Sequence, residues 1–140
     1  MAREAILRDT KPLVSRRYTC ATSTGIAKGT FLKCADPSTA SASTGTGDFF
    51  CGFAHADVNK STDTAFNTET SVTADKGGIY ELMSSGAITA GQLVKTAAPG
   101  NYVMAVAQTD MTSSYAIAIG IALETATAAT EEQINVEVFA

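Results

Sequence analysis

The feature that most constrains this chain is its likeness to itself: residues 18–37 align with residues 80–99 without a gap, at a constant offset of 62. Tyr18, Ser23, Ile26, Gly29, Lys33, Ala35 and Pro37 meet Tyr80, Ser85, Ile88, Gly91, Lys95, Ala97 and Pro99. Cys20 with Leu82, Phe31 with Leu93 and Leu32 with Val94 are apolar in both copies, so the match extends to the burial pattern. A sequence that repeats one supersecondary pattern builds related small units rather than one large sheet. The competing source of such matches is the chain's bias toward Ala, Thr and Gly.

The shared core reads Ile-x-x-Gly-x-Φ-Φ-Lys-x-Ala-x-Pro, where Φ is a large apolar residue. The glycine suits a turn that needs positive φ, and a short strand runs from it until Pro closes it. A second glycine-bearing strand follows in each half, over residues 48–54 and 119–123. Ile117, Ile119, Ile121 and Leu123 alternate with Ala118, Gly120 and Ala122, which predicts a strand with one large-residue face and a closely packed small-residue face. At the C-terminus, Ile134, Val136 and Val138 alternate with polar residues, as in a half-buried antiparallel strand. Gly77-Gly78, Pro99-Gly100-Asn101 and residues 125–130 read as turns or loops. Residues 38–47 carry no large side chain and read as an exposed, mobile loop. The polar stretch 59–75 reads as a surface link between the halves.

These patterns predict an all-β fold with little helix, a small β-barrel or β-sandwich, and two duplicated units over 18–74 and 75–140 behind an extended basic arm over 1–17. The absence of Trp and the abundance of Ala, Thr, Ser and Gly favour strands and turns over helices. Five of the ten basic residues (Arg3, Arg8, Lys11, Arg16, Arg17) stand in the arm against Glu4 and Asp9, a formal +3; the rest carries five basic and twelve acidic residues, −7. A basic arm on an acidic body is a docking device, because complementary potentials steer and orient association; a solvated, frayed terminus is the plainer reading. The acidic body and the lack of aromatics interleaved with the basic residues disfavour nucleic acid. Residues 1–14 contain no uninterrupted apolar core of a signal peptide. The longest apolar run, residues 115–123, is about half of what a membrane-spanning helix needs.

Little in the chain assembles into catalytic chemistry. Ser84-Ser85-Gly86 lacks the leading glycine of a nucleophile elbow, and Asp75-Lys76-Gly77-Gly78 puts the lysine on the wrong side of the glycines for a phosphate loop. Glu131 and Glu132 are adjacent, so they do not converge on one substrate. His55 has no second histidine with which to share a metal. Cys20, Cys34 and Cys51 are too widely spaced for a CxxC site and odd in number, which predicts reduced, half-buried thiols. No catalytic residue, cofactor or metal is expected.

With these residues in view, the second half resembles small phage head-decoration proteins, in the order Gly77-Gly78-Ile79-Tyr80, Ile88-x-x-Gly91-x-Leu93-Val94, Gly120-Ile121-Ala122-Leu123 and Ile134-x-Val136-x-Val138. The first half resembles the same kind of protein through residues 25–31 and 47–52. The resemblance implies a capsid cement protein that binds the major capsid protein on the outside of an assembled shell, often as a homotrimer, and strengthens it. The long polar link leaves the stoichiometry open among trimer, dimer and pseudo-symmetric monomer. The expected capsid contacts are Arg3, Arg8, Arg16 and Arg17 for electrostatic docking, with Ala5, Ile6, Leu7, Leu13 and Val14 as apolar anchors. The rival expectation is a carbohydrate-binding or tail-associated β module using edge aromatics such as Tyr102 or Tyr115.

Overall fold

The computed structural model describes residues 4–8, 14–20, 25–58, 71–107, 117–127 and 131–139. Eleven strands carry the described chain: β1 (Ile6–Leu7), β2 (Val14–Cys20), β3 (Phe31–Asp36), β4 (Thr39–Ala42), β5 (Phe50–Ala54), β6 (Ser71–Lys76), β7 (Gly78–Ser84), β8 (Leu93–Ala97), β9 (Tyr102–Ala105), β10 (Gly120–Ala122) and β11 (Glu132–Val138). β2-β4-β3-β5-β6 form a closed barrel. β7-β9-β8-β10-β11 close in the same order, through a parallel β7–β9 pairing that mirrors the parallel β2–β4 pairing. The architecture is therefore all-β and made of two barrels, each without free edges except where the chain enters, as closure requires.

The registers show the two barrels to be counterparts and show where the ungapped alignment fails. Leu32 pairs with Gly52 and Val94 with Gly120, so β3 and β8 correspond at an offset of 62 but β5 and β10 at 68. Ala54 pairs with Ala74 and Ala122 with Val136, which returns β6 and β11 to 62. Isolated bridges Ile26–Val58 and Ile88–Ala126 repeat the 62 and 68 offsets. Tyr18 pairs with Val72 while Leu82 pairs with Ile134, so β2 and β7 correspond at 64. The Tyr18–Tyr80 and Cys20–Leu82 matches thus fall two residues out of register, whereas the matches from Ile26 to Lys33 hold for the reason expected: Gly29 and Gly91 both take positive φ, at 84° and 92°. Beyond them a bulge at Ala35 sets Asp36 opposite Thr39 where Ala97 stands opposite Tyr102, so the Ala35–Ala97 and Pro37–Pro99 matches fall out of register.

The corresponding glycines Gly52 and Gly120 mark the same close approach in both barrels. A Cβ on Gly52 would lie 2.8 Å from Ala74 Cβ and 2.9 Å from the Asp75 carbonyl oxygen; on Gly120 it would lie 2.3 Å from the Glu137 carbonyl oxygen. Ala74 and Val136, and Asp75 and Glu137, are themselves counterparts.

Several expected features move. The boundary drawn after residue 74 falls inside β6, which runs to Lys76 and buries Val72, Ala74 and Asp75. Residues 71–75 are therefore barrel wall rather than surface link, and residues 59–70 lie outside the described residues. The loop expected over 38–47 contains β4, whose Ala40 is 0% exposed; small side chains are what a strand needs where a narrow barrel wall closes. Over residues 117–123, the strand proper is only Gly120–Ala122, and it buries Gly120 and Ala122 while leaving Ile121 half-exposed. Ile119 is buried just before it and Leu123 is exposed, so the alternation does not continue across the segment. The C-terminal strand buries Ile134, Val136 and Val138 as expected.

The two barrels share a joint. Phe31 and Phe53 are cross-strand partners in the first barrel, yet both pack with the core of the second. Their rings stand edge to face at 4.9 Å, Phe50 packs on Phe53 at 4.9 Å, and Phe53 meets Tyr80 of β7 at 4.5 Å; such aromatic contacts add to what burial alone contributes. Asn101, in the left-handed region at φ 61°, accepts a hydrogen bond from the Phe31 N–H at 3.0 Å. Gly47 N–H and Ala98 N–H complete the seam through Thr96 O and Thr46 Oγ1.

Candidate functional site

The stretch expected as an arm divides in the structure. Ile6 and Leu7 form β1 against Glu81 and Tyr80 of β7, on the part of that edge that β9 leaves unpaired. Ala5 N–H donates to Gly29 O in the first barrel and Arg8 N–H to Ile79 O in the second, so this segment straps both barrels. Leu7 and Ala5 pack on the core, while Ile6 is exposed. Arg8 lies 3.4 Å from Glu81 at the surface, a pair of small energetic value. Val14, Arg16 and Arg17 belong to β2, so the arm ends before residue 14 rather than at 17 because those residues hydrogen-bond along β6. Val14 and Arg17 are exposed, and Arg17 Nε donates to Ser71 Oγ at 2.9 Å. Arg3 and Leu13 lie outside the described residues.

A concavity opens at the mouth of the first barrel. A cavity of about 510 Å³ is lined by Arg16, Tyr18, Cys34, Asp36, Phe49, Cys51 and Lys76, among others. Arg16 holds its guanidinium 5.1 Å from the Tyr18 ring centroid and donates to Pro37 O. Neither Arg16 nor Lys76 makes an ion pair among the described residues. Asp36, the acid at the rim, is already engaged: Ser38 N–H and Ser38 Oγ donate to it, and these bonds with those from Thr39 hold its carboxyl below the ordinary range. Burial pushes the Cys51 thiol well up, and the neighbouring Cys34 thiol adds to this; Tyr18 is raised chiefly by burial. No disulfide joins the three cysteines; Cys34 is half-buried as expected, whereas Cys20 and Cys51 are buried.

Phe49 stands on the rim of this mouth with 69% of its surface exposed, yet the loop before it is firmly held. Asp48 accepts hydrogen bonds from Ser43 Oγ, Thr44 N–H and Gly45 N–H at 2.8–3.0 Å. Burial would raise the Asp48 carboxyl, but these donors and nearby Lys33 outweigh it and hold it low. Phe49 also borders a second cavity of about 190 Å³ with Lys76, Ile117 and Phe139, the last 44% exposed. Sequence reasoning placed Phe49 inside a strand and missed it. The available signal was the adjacent pair Phe49-Phe50, since consecutive strand residues point to opposite faces.

One cluster has the residue types of a catalytic triad but not its wiring. Ser15 Oγ donates to Asp75 Oδ1 at 2.6 Å, and Asp75 Oδ2 lies 2.6 Å from His55 Nδ1. The carboxylate sits between the hydroxyl and the imidazole, so the histidine has no contact through which to take the serine's proton. The arrangement instead stitches β2, β6 and the end of β5 together, and makes His55 a satisfied histidine. No group of three or more metal-ligating side chains occurs among the described residues. Tyr102, an expected edge aromatic, is 4% exposed and its hydroxyl donates to Glu131, so it offers no platform. Tyr115 lies outside the described residues. No helix among the described residues is long and apolar enough to cross a membrane.

Comparison with known proteins agrees with this architecture. The chain is similar in fold to the head fiber gp8.5 N base of bacteriophage phi29, with a TM-score of 0.55 and 14% identity over 90% of this chain and 93% of that one. No curated protein matches it in sequence. The sequence pattern of phage cement proteins matches residues 13–138, from the start of the first barrel to the last strand of the second. Two barrels matched from end to end by one pattern leave a single assignment: the chain belongs to the phage cement protein family.

Proposed function

We propose that this protein binds the outer surface of an assembled phage capsid, with the major capsid protein as its partner, and stabilises the shell without performing catalysis. The observation that carries this reading is the cement-family match running through both barrels. The likeness to a phage head fiber base supports it. A subunit that binds only the assembled lattice stabilises it by mass action, and simultaneous contact with several capsid subunits multiplies weak contacts. Docking uses the basic N-terminal face, with Arg3, Arg8 and Arg17 as electrostatic contacts and Leu13 and Val14 as apolar ones. Binding as a trimer at symmetric positions fits this use.

Because β1 straps the barrels and Val14 starts a barrel strand, removing residues 1–14 would disturb the body as well as the docking face. The test is therefore substitution: Arg3→Glu, Arg8→Glu and Arg17→Glu in one chain, mixed with undecorated expanded capsids and pelleted. The wild type is expected to co-sediment saturably at a symmetric stoichiometry, and the triple variant to stay in the supernatant with an unchanged circular dichroism spectrum. Failure of the wild type to bind any capsid state overturns the function, and undiminished binding of the variant overturns the docking face.

A further inference from the structure

We propose that the open mouth of the first barrel receives the second barrel of another copy of this chain, so that copies associate head to tail. The chain already contains one such contact. Inside it, the outward cross-strand pair Phe31 and Phe53 of the first barrel packs with Tyr80 and its neighbours in the second. The counterpart pair on the second barrel is Leu93 and Ile121, again cross-strand partners. Both are half-exposed, and nothing in the described chain repeats on them the covering that Phe31 and Phe53 receive.

The receiving surface has a counterpart too. By the strand registers, Arg16, Tyr18, Cys51 and Lys76 of the first mouth stand where Tyr80, Leu82, Ile119 and Val138 stand in the second. In the second barrel all four are buried; in the first, Arg16 is exposed, Lys76 is half-exposed, and the cavity is open. An aromatic and an aliphatic residue have been exchanged for two cations. The occupant must therefore bring apolar surface together with a carboxylate, since burying unpaired cations is costly.

The Leu93–Ile121 strip has that composition. Glu137 is the cross-strand partner of Ile121 and is exposed, so the row Leu93, Ile121, Glu137 runs across three adjacent strands on one face. Glu124 and Leu123, both exposed, lie just beyond. The charge of the whole chain is divided accordingly. Residues 1–76 carry nine basic and eight acidic side chains, whereas residues 77–140 carry one basic and six acidic. A slightly positive barrel with a cationic mouth and a negative barrel with an apolar, acidic strip are complementary. Because the two patches differ, the contact is heterologous and closes into a ring or continues as a filament, depending on the rotation between copies.

The inference concerns the free chain and stands apart from capsid binding. Its test is the mass of the purified protein across a concentration and salt series, read by sedimentation or light scattering. The wild type is expected to associate with rising concentration and to dissociate with salt. The variants Arg16→Glu/Lys76→Glu and Glu137→Lys, all at solvent-accessible positions, are each expected to weaken association on the order of a hundredfold. Mixing the two variants restores a contact, because the acidic mouth of one then faces the basic strip of the other. A wild type that stays monomeric up to its solubility limit overturns the proposal, as do variants that follow the wild-type curve. If Arg16→Glu/Lys76→Glu instead abolishes capsid binding without changing the mass of the free protein, the mouth holds a capsid segment and the second copy is excluded.

Discussion

The two barrels share one strand order and differ in what fills them. The second is packed with branched aliphatic side chains, Leu82, Ile88, Val94, Val103, Ile134, Val136 and Val138, all nearly or fully buried. The first has a leaner interior: Tyr18, Cys20, Cys51 and the alanines 40, 54 and 74 sit with Leu32, Ile26, Val58 and Val72. Three of its phenylalanines, Phe31, Phe50 and Phe53, turn away from its own axis and into the joint. Topology and core are thus separable. The pairing pattern is common to both barrels because it is set by turns and close approaches, while one barrel gives up internal packing to supply the contact that unites both.

The largest expected effect tests that joint. Phe53→Ala should cost about 3–5 kcal/mol, the usual range for removing a buried aromatic ring, and should lower the stability of both barrels in one cooperative denaturant transition. Two separate transitions in the wild type, with only the first barrel sensitive to Phe53, would break the comparison. Next come the paired close approaches. Gly52→Ala and Gly120→Ala should each cost about 1–3 kcal/mol by forcing a Cβ against the neighbouring strand, read as a lowered Tm; a neutral result at either site would deny that the barrels share this constraint.

A smaller effect belongs to the first barrel's loop. Asp48→Ala, which removes the acceptor of three hydrogen bonds, should cost about 1–2 kcal/mol. Because the folded Asp48 carboxyl titrates below its unfolded value, its contribution is complete above the ordinary carboxylate range of about 4 and fades as pH falls through the depressed value. The variant should therefore show a shallower loss of stability on acidification below about pH 4 than the wild type. The least effect is chemical. Cys51, buried and held as a thiol, should react with maleimide at pH 7 far more slowly than a cysteine in the unfolded chain, and slower than half-exposed Cys34. Labelling of Cys51 at the unfolded rate would mean that the mouth opens deeper than the structure shows.

Much of this was readable in advance, and the exceptions have a common cause. The turns at Gly29 and Gly91 and the last strand were legible because positive φ and period-2 alternation act within a few residues. β4 was not, because Thr39, Ala40, Ser41 and Ala42 alternate only among small side chains, too weak a pattern to mark a strand; Ala40 is buried by what packs over it. The face of β10 was misread for the same reason, since the partner Glu137 backbone approaches so closely that only glycine fits. The candidate site followed this division. The basic residues near the N-terminus were plain in the sequence, but the mouth that joins Arg16 to Lys76, and the exposed side of the Phe49-Phe50 pair, arise only when β2, β5 and β6 meet.

What the sequence by itself determined is the all-β class, the pair of related units and the phage cement resemblance, because each is carried by local turn chemistry and the spacing of apolar residues. Only the tertiary structure decided that the units close as barrels, that their correspondence steps among offsets of 64, 62 and 68 from strand to strand, and that the N-terminal segment straps one to the other. Those outcomes depend on register between strands far apart in the sequence, as in the Ile6–Glu81 and Val14–Lys76 pairings. Local sequence does not encode such a register, because it is fixed by which side chains fill the space between the strands.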